Sequence, residues 1–278
     1  MHIPRHRIDN GFMATHSHRI QMARDSLPQV LAATRSRPQS LGICSNSAHS
    51  AAAYFHLDDP QSTEAVSAFQ LARQSLNALF ACATDLPGSI TVPLGPGEPV
   101  TYVDKPPASS VNISNWMNAF SLNLVFGDLA ALRKLCAVPT ALLQASPTQA
   151  TADRYLHKDA LCAYVNQEPD LIDRIISALK ATAVDIPDPL QKAVAVTITG
   201  SQLEVFLHVV TRDARFGDAM HRAIQEHKQY WGRSKDSAKS FQGFISLELL
   251  ALMVLANDVG LRCDIDTPYL PMNLIQPM

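Results

Sequence analysis

The most strongly apolar stretch of the chain lies near its C-terminal end. Apolar residues occupy nearly every position from 244 to 255. A helix here would be apolar on all sides, and such a helix belongs inside a protein. Residues 257–260 follow with polar side chains and a final glycine, a pattern that predicts a left-handed helix cap. The pattern therefore predicts a buried helix near the C-terminus.

Amphipathic helical spacing recurs along the rest of the chain. After Asp59-Pro60, either Ser62 or Thr63 can cap a helix that reaches about residue 84. Residues 194–205 are rich in Val, Ile and Thr and suit a strand too, although the length of the pattern favours a helix. Further helices are predicted over residues 20–31, 43–57, 112–138, 148–165, 170–183, 189–210 and 213–230.

One segment departs from this helical spacing. Residues 89–103 place two β-branched runs around Gly95-Pro96-Gly97, which predicts a hairpin whose prolines confine it to an edge. The predicted fold is therefore mainly α, with stacked antiparallel helix pairs around a buried C-terminal helix and one small β-hairpin. Residues 1–40 carry many Arg and His and little apolar periodicity, so they predict a basic, partly disordered N-terminal segment. Residues 41–278 are predicted to form a single helical domain.

Composition and charge narrow the class of protein. Apolar residues make up 47% and charged residues 17%, which gives ample material for a core. The formal net charge of −2 offers no overall attraction for nucleic acid or acidic lipid, so neither is an expected partner. We expect no membrane span, because no window supplies about eighteen apolar residues. Five scattered cysteines suit free thiols, and together with a start unlike a signal peptide they predict a cytoplasmic protein.

Motifs of the common enzyme classes are absent from the sequence. There is no nucleophile elbow, Walker loop, paired-histidine zinc helix or CxxC pair, so we assign no catalytic, cofactor-binding or metal-binding residue. Asp264-x-Asp266 stands without a third carboxylate, which favours a turn or partner-facing role over a metal site. An enzyme of unrecognised type remains an alternative. It would require a deep pocket that joins several of His157, His208, His221 and Cys162 with acidic residues.

The last third of the chain carries a recognisable order of residues. Tyr230-Trp231 ends one helix, an aromatic-Gly-aromatic sequence at 241–244 enters the Leu/Ala-rich helix, and Gly260 ends that helix before Tyr269-Leu-Pro271. This order resembles the C-terminal signature of the immunity protein 49 family of bacterial polymorphic toxin systems. The hairpin, Trp116 and residues 133–139 follow in the order expected of that family. The resemblance covers residues 85–271.

The resemblance implies a cytoplasmic, mostly helical protein that has no reaction of its own. Such a protein binds a cognate toxin, for example a nuclease, and covers or locks the active site of the toxin. The acidic tail around Asp258, Asp264 and Asp266 could face a basic toxin. A helical scaffold or regulatory protein-binding domain is the alternative function. The residues that we predict to bind the partner are Tyr230, Trp231, Asp236, Asp264, Asp266 and Tyr269.

Overall fold

The computed structural model describes residues 1–84 and 88–275 and confirms a mainly helical fold with one two-stranded hairpin. The chain divides into two compact units. The C-terminal unit consists of residues 1–9 and 149–275, and the N-terminal unit begins at residue 10 and runs to residue 148. The predicted boundary at residue 40 does not coincide with this division, and the predicted domain organisation stays a prediction.

Helices make up most of the N-terminal unit. Two of them, α1 and α2, lie within residues 1–40, whose partial disorder in solution stays a prediction. The elements are α1 (Asn10–Ala14), α2 (His16–Arg35), α3 (Leu41–Asp58), α4 (Thr63–Thr84), β1 (Ile90–Val92), β2 (Val100–Tyr102), α5 (Ile113–Val125), α6 (Leu129–Cys136) and α7 (Thr140–Gln144).

Helices α3 and α4 pack against each other in this unit. Asp59-Pro60 separates the two helices, and the hydroxyl of Ser62 accepts a hydrogen bond from the Ala65 backbone N–H at 3.3 Å. Ser62 is therefore the cap that the sequence predicted. From α4, Phe69 and Leu79 are fully buried, as the apolar stripe predicted.

A pair of asparagines joins α4 to α5. The Asn77 amide donates to Asn123 Oδ1 at 3.0 Å, and the Asn123 amide donates back to Asn77 Oδ1 at 2.7 Å. Asn112 caps α5 by accepting a hydrogen bond from the Asn115 N–H at 2.9 Å. The single helix predicted over residues 112–138 is wrong, because the chain turns between α5 and α6 and Asp128 caps α6.

The hairpin pairs β1 with β2 in antiparallel register. Thr91 and Thr101 lie opposite each other, and their hydroxyls are 2.8 Å apart. The Tyr102 hydroxyl donates to the Thr34 carbonyl at 2.8 Å, and Arg35 donates to the Leu94 carbonyl at 2.7 Å. These bonds fix the ribbon to α2 within the N-terminal unit.

Most of the C-terminal unit is helical, whereas residues 1–9 and the tail over residues 259–275 contain no α-helix. Its helices are α8 (Ala152–Asn166), α9 (Leu171–Thr182), α10 (Pro189–Ala193), α11 (Gly200–Thr211), α12 (Phe216–Gly232) and α13 (Leu247–Asp258). A π-helical turn at Val194–Thr199 joins α10 to α11, so the strand alternative for residues 194–205 is wrong.

Helix α13 is the buried C-terminal helix that the pattern predicted. Every residue from 249 to 256 is at most 3% exposed. Gly260 has a φ of +83°, and the Leu261 N–H donates to the Ala256 carbonyl at 2.9 Å, which is the bond of a Schellman cap. Only glycine adopts this backbone conformation without strain. Apolar burial and the glycine cap therefore define both the position and the end of α13.

Two helical stretches are long and apolar enough to cross a membrane by length and composition alone. They are Pro189–Thr211 and Phe241–Asp258, so the expectation that no such window exists is wrong. Half of the first window and 72% of the second are buried inside the structure. The core helix of a folded domain passes the same test, and burial accounts for the apolar composition of α13.

Candidate functional site

The six residues predicted to bind a partner all belong to the C-terminal unit, but they differ in exposure. Asp236, Asp264 and Asp266 are exposed, and Trp231 is partly exposed. Tyr230 is only 9% exposed, and Tyr269 is completely buried. The Tyr269 side chain therefore offers no surface to a partner in this structure. A partner-binding role for the six residues stays a prediction.

Trp231 packs directly against the backbone of Gly243. A β-carbon added to Gly243 would lie 2.6–2.8 Å from three side-chain atoms of Trp231, which is closer than such contacts occur. Any larger residue at position 243 would therefore push the indole out of place. The Gly243 carbonyl also accepts a hydrogen bond from Nε2 of the buried His227 at 3.2 Å. The aromatic-Gly-aromatic motif is thus explained by close packing.

The aromatic pair at the end of α12 carries an arginine on one side. The Arg233 guanidinium lies 3.7 Å from the centre of the Tyr230 ring, a cation–π distance, and also donates to the Tyr230 carbonyl at 2.6 Å. The Tyr230 and Trp231 rings meet edge to face. Tyr, Trp and Arg are the residue types that dominate the energetics of protein interfaces. These contacts join the three side chains into one group.

Residues 1–7, which we call the N-terminal strap, pair with the acidic tail. The Ile3 N–H donates to the Asp266 carbonyl, and the Asp266 N–H donates to the Met1 carbonyl, each at 2.9 Å. His2 Nδ1 is 2.8 Å from a carboxylate oxygen of Asp266. The Thr267 hydroxyl donates to the Ile3 carbonyl at 3.0 Å. The strap therefore binds the tail through backbone and side chain alike.

His6 of the strap completes a hydrogen-bond network around Tyr269. The His6 N–H donates to the Tyr269 hydroxyl oxygen at 2.7 Å, and His6 Nδ1 is 2.8 Å from the same hydroxyl. His6 Nε2 is 3.2 Å from the Ala238 carbonyl. All three contacts are satisfied when Nε2 carries the proton and Nδ1 accepts from the tyrosine, so the network assigns a neutral His6 in that tautomer.

Arg5 joins His6 and Tyr269 in a group of contacting side chains that we call the cluster. Its guanidinium donates to the carbonyls of Phe244 and Pro268 and lies 5.5 Å from the Tyr269 ring centre. Burial lowers the pKa of Arg5 to about 10, a value that keeps it charged at neutral pH. Burial also raises the pKa of Tyr269 to about 12, so the phenol stays protonated.

The buried histidines of the cluster are neutral. Burial lowers the pKa of His227 to about 3, and the Gly243 carbonyl opposes that shift in part. Burial is also the main cause that lowers the pKa of His6, and Arg5 and Lys228 add to it by repulsion. The His227 and Tyr269 rings meet edge to face with centres 5.0 Å apart. The cluster is thus a packed polar core with one permanent cation.

The residues that an unrecognised enzyme would need lie in different surroundings. Burial lowers the pKa of His157 to about 3, and its ring packs near Phe206. His208 lies 3.5 Å from Asp213, whereas His221 lines a surface groove that contains neither His157, His208 nor Cys162. Among residues 1–84 and 88–275, no group of three His, Cys, Asp or Glu is placed to hold a metal.

The docked position of the strap was not predicted from the sequence. Its only local signals were Ile3 followed by Pro4, since a residue before proline favours an extended backbone, and an isolated apolar residue in a basic run. The partners that fix the strap lie more than 230 residues further along the chain. No spacing rule connects such distant positions.

The chain matches a known protein-family model. The model described as Immunity protein 49 matches residues 58–274, which is well over half of the chain. That range contains all six predicted partner-binding residues and excludes the strap. No curated protein and no solved structure matches the chain.

Proposed function

The chain belongs to the immunity protein 49 family, and on that premise we propose that it binds and neutralises one cognate protein toxin. Membership of the family suggests an immunity function against a toxin. The finer proposal is that the chain covers or locks the active site of that toxin and carries out no reaction itself. The family match over residues 58–274 is the observation that carries this proposal.

The contact surface that we propose is the exposed part of the family signature in the C-terminal unit. Trp231 offers part of its ring, and Asp236, Asp264 and Asp266 offer carboxylates. Tyr230 and Tyr269 support this surface from below. Rigid aromatic groups lose little entropy on binding, and carboxylates at the rim select a partner of opposite charge. A toxin domain with a basic face, such as a nuclease, has the required chemistry.

We propose a cytoplasmic location for this complex, where a toxin of this kind would act on the producing cell. A stable complex typically buries about 1,600 Å² in total, or about 800 Å² on each partner. An area of that size is larger than the area that four exposed side chains can supply. Neighbouring surface of the unit therefore has to contribute to the interface.

Co-expression tests the proposal directly. The chain and the toxin domain encoded beside it are expressed together, and growth rescue and co-purification are measured. We expect rescue by the wild type and loss of rescue in the triple variant Asp236→Lys, Asp264→Lys and Asp266→Lys. The matched control is Asp170→Lys with Asp173→Lys and Asp185→Lys, which changes the charge equally at other exposed positions. A wild type that neither rescues growth nor co-purifies rules out the proposed function.

Pull-down from the native host separates the second candidate function. An immunity protein should capture its toxin, whereas a scaffold or regulator should capture unrelated host proteins and leave the toxin unbound. Capture of host proteins together with failed rescue would favour the regulatory alternative.

A further inference from the structure

A surface groove of about 680 Å³ runs along α12 in the C-terminal unit. The strap forms one wall, and the opposite wall comes from α12 at residues 221, 225, 228, 229 and 232. Positions 221, 225, 228 and 232 follow helical spacing and share one face. They span about 16 Å at 1.5 Å per residue, which is the length of about five residues of extended peptide.

The charge of the groove has one sign. Arg7 and Lys228 provide permanent positive charges from opposite walls, and His221 adds an imidazole. No described residue that lines the groove carries a carboxylate. Lys228 lines the same groove as His6 and Arg7 of the strap. A ligand that neutralises these cations has to be anionic.

Neutral side chains in the groove suit a peptide backbone. Gln225 and Gln229 are exposed, and each amide can both donate and accept hydrogen bonds. Pro4 and the edge of Ile3 add apolar surface on the strap side. Amides and cations together suit the peptide groups and acidic side chains of an extended acidic segment.

We infer that this groove binds an acidic segment of about five residues, and that the cognate toxin supplies it. The inference rests on the proposed function and adds a second contact of opposite charge. Asp264 and Asp266 belong to the acidic tail, whereas Arg7 and Lys228 line the groove and are basic. Neighbouring patches of opposite sign select one orientation of a partner and reject partners with the reverse pattern.

Nucleic acid fits the groove less well. Two permanent cations offer few phosphate contacts, and the whole chain carries a formal net charge of −2. The carboxylate of Asp266 also bonds His2 at the edge of the strap. Tight binding of a polyanion would require a broader basic surface.

Peptide titration followed by backbone NMR tests the inference. The probe is the five-residue peptide acetyl-Gly-Asp-Glu-Asp-Gly-amide, and the comparison probes are its Lys counterpart and a short oligothymidylate. We expect amide shifts confined to residues 1–7 and 221–232, with the acidic peptide only. Equal shifts with the basic peptide, larger shifts with the oligonucleotide, or no shifts at millimolar peptide would each overturn the inference.

Charge-reversal variants test whether the acidic peptide binds in the groove. Arg7→Glu with Lys228→Glu should weaken peptide binding at least tenfold, because both cations are replaced by carboxylates. Lys180→Glu with Lys192→Glu makes the same change at exposed positions outside the groove and should leave binding unchanged. If the reversed pair fails to fold, Arg7→Gln with Lys228→Gln replaces it. Equal loss in the groove variant and the control would overturn the inference.

Toxin association separates this inference from the proposed function. In low salt, the groove variant should bind the toxin domain about tenfold more slowly than the wild type, since exposed charges mainly set association rates. An unchanged rate overturns the groove assignment alone and leaves the immunity function standing. A wild type that does not bind the toxin overturns both.

Discussion

Helix α13 and the N-terminal strap are held in the same unit by opposite means. Helix α13 is fixed by apolar contacts on all sides and by a glycine cap. The strap is fixed by hydrogen bonds to Asp266, Thr267, Tyr269 and Ala238. Apolar burial depends little on pH, whereas the strap depends on His6 staying neutral. The two regions should therefore fail under different conditions.

Truncating the core of α13 should have the largest effect. Leu250 is completely buried, so Leu250→Ala removes apolar contacts and leaves a cavity. We expect the free energy of unfolding to fall by about 2–5 kcal/mol in chemical denaturation. The control is Leu190→Ala, because Leu190 is 55% exposed and its loss should cost less than about 0.5 kcal/mol. Equal effects of the two substitutions would contradict the buried position of α13.

Crowding Trp231 should have the next largest effect. Gly243→Ala places a β-carbon within 2.8 Å of the indole, so the ring has to move. We expect a loss of about 1–3 kcal/mol in the free energy of unfolding and an altered tryptophan emission spectrum. Gly217→Ala is the control, since its β-carbon would meet only Cys263 Sγ, at 4.0 Å. An unchanged emission spectrum in Gly243→Ala would show that the indole is not packed there.

Removing the Tyr269 hydroxyl tests the strap itself. Tyr269→Phe leaves the His6 N–H and Nδ1 without their partner, which should cost about 1–2 kcal/mol. Limited proteolysis should then cleave within residues 1–9 earlier than in the wild type. Leu250→Ala should not accelerate that cleavage beyond its effect on global stability. If strap cleavage is unchanged in Tyr269→Phe, the hydroxyl does not hold the strap.

Mild acid should produce the smallest effect. The pKa of His227 is about 3 in the folded chain, below its ordinary value of 6.5, so the unfolded chain binds protons first as pH falls. The stability that neutral His227 contributes is complete above pH 6.5 and is lost progressively toward pH 3. This histidine alone should cost less than about 1 kcal/mol between pH 7 and pH 6. Denaturation midpoints should shift less with pH in His227→Gln, and equal shifts would contradict burial of a neutral imidazole.

Local patterns predicted those elements whose causes lie within about twenty residues. The apolar run of α13, the Gly260 cap and the Asn112 cap each depend on neighbours along the chain. The break between α5 and α6 was missed because their apolar spacing continues across Gly127.

The candidate site was predictable only in outline. The sequence indicated that Tyr230, Trp231 and Tyr269 belong together, and the structure gathers them with His227 in one unit. It did not indicate that Tyr269 is buried, because the partner that covers it is His6. Hydrogen bonds between polar residues that are far apart in the chain produce no periodic pattern in the sequence. The exposed face of the signature therefore had to be found from the structure.

The contact between the strap and the tail has a consequence for synthesis in the cell. Arg5 bonds the carbonyl of Pro268, a residue 263 positions later. A ribosome must translate at least as far as residue 268 before this bond can form, and chains emerge at about 5–20 residues per second. Docking of the strap on the tail therefore waits until residues 264–269 have been translated, and a nascent chain stalled before residue 264 lacks the tail partners of its first seven residues.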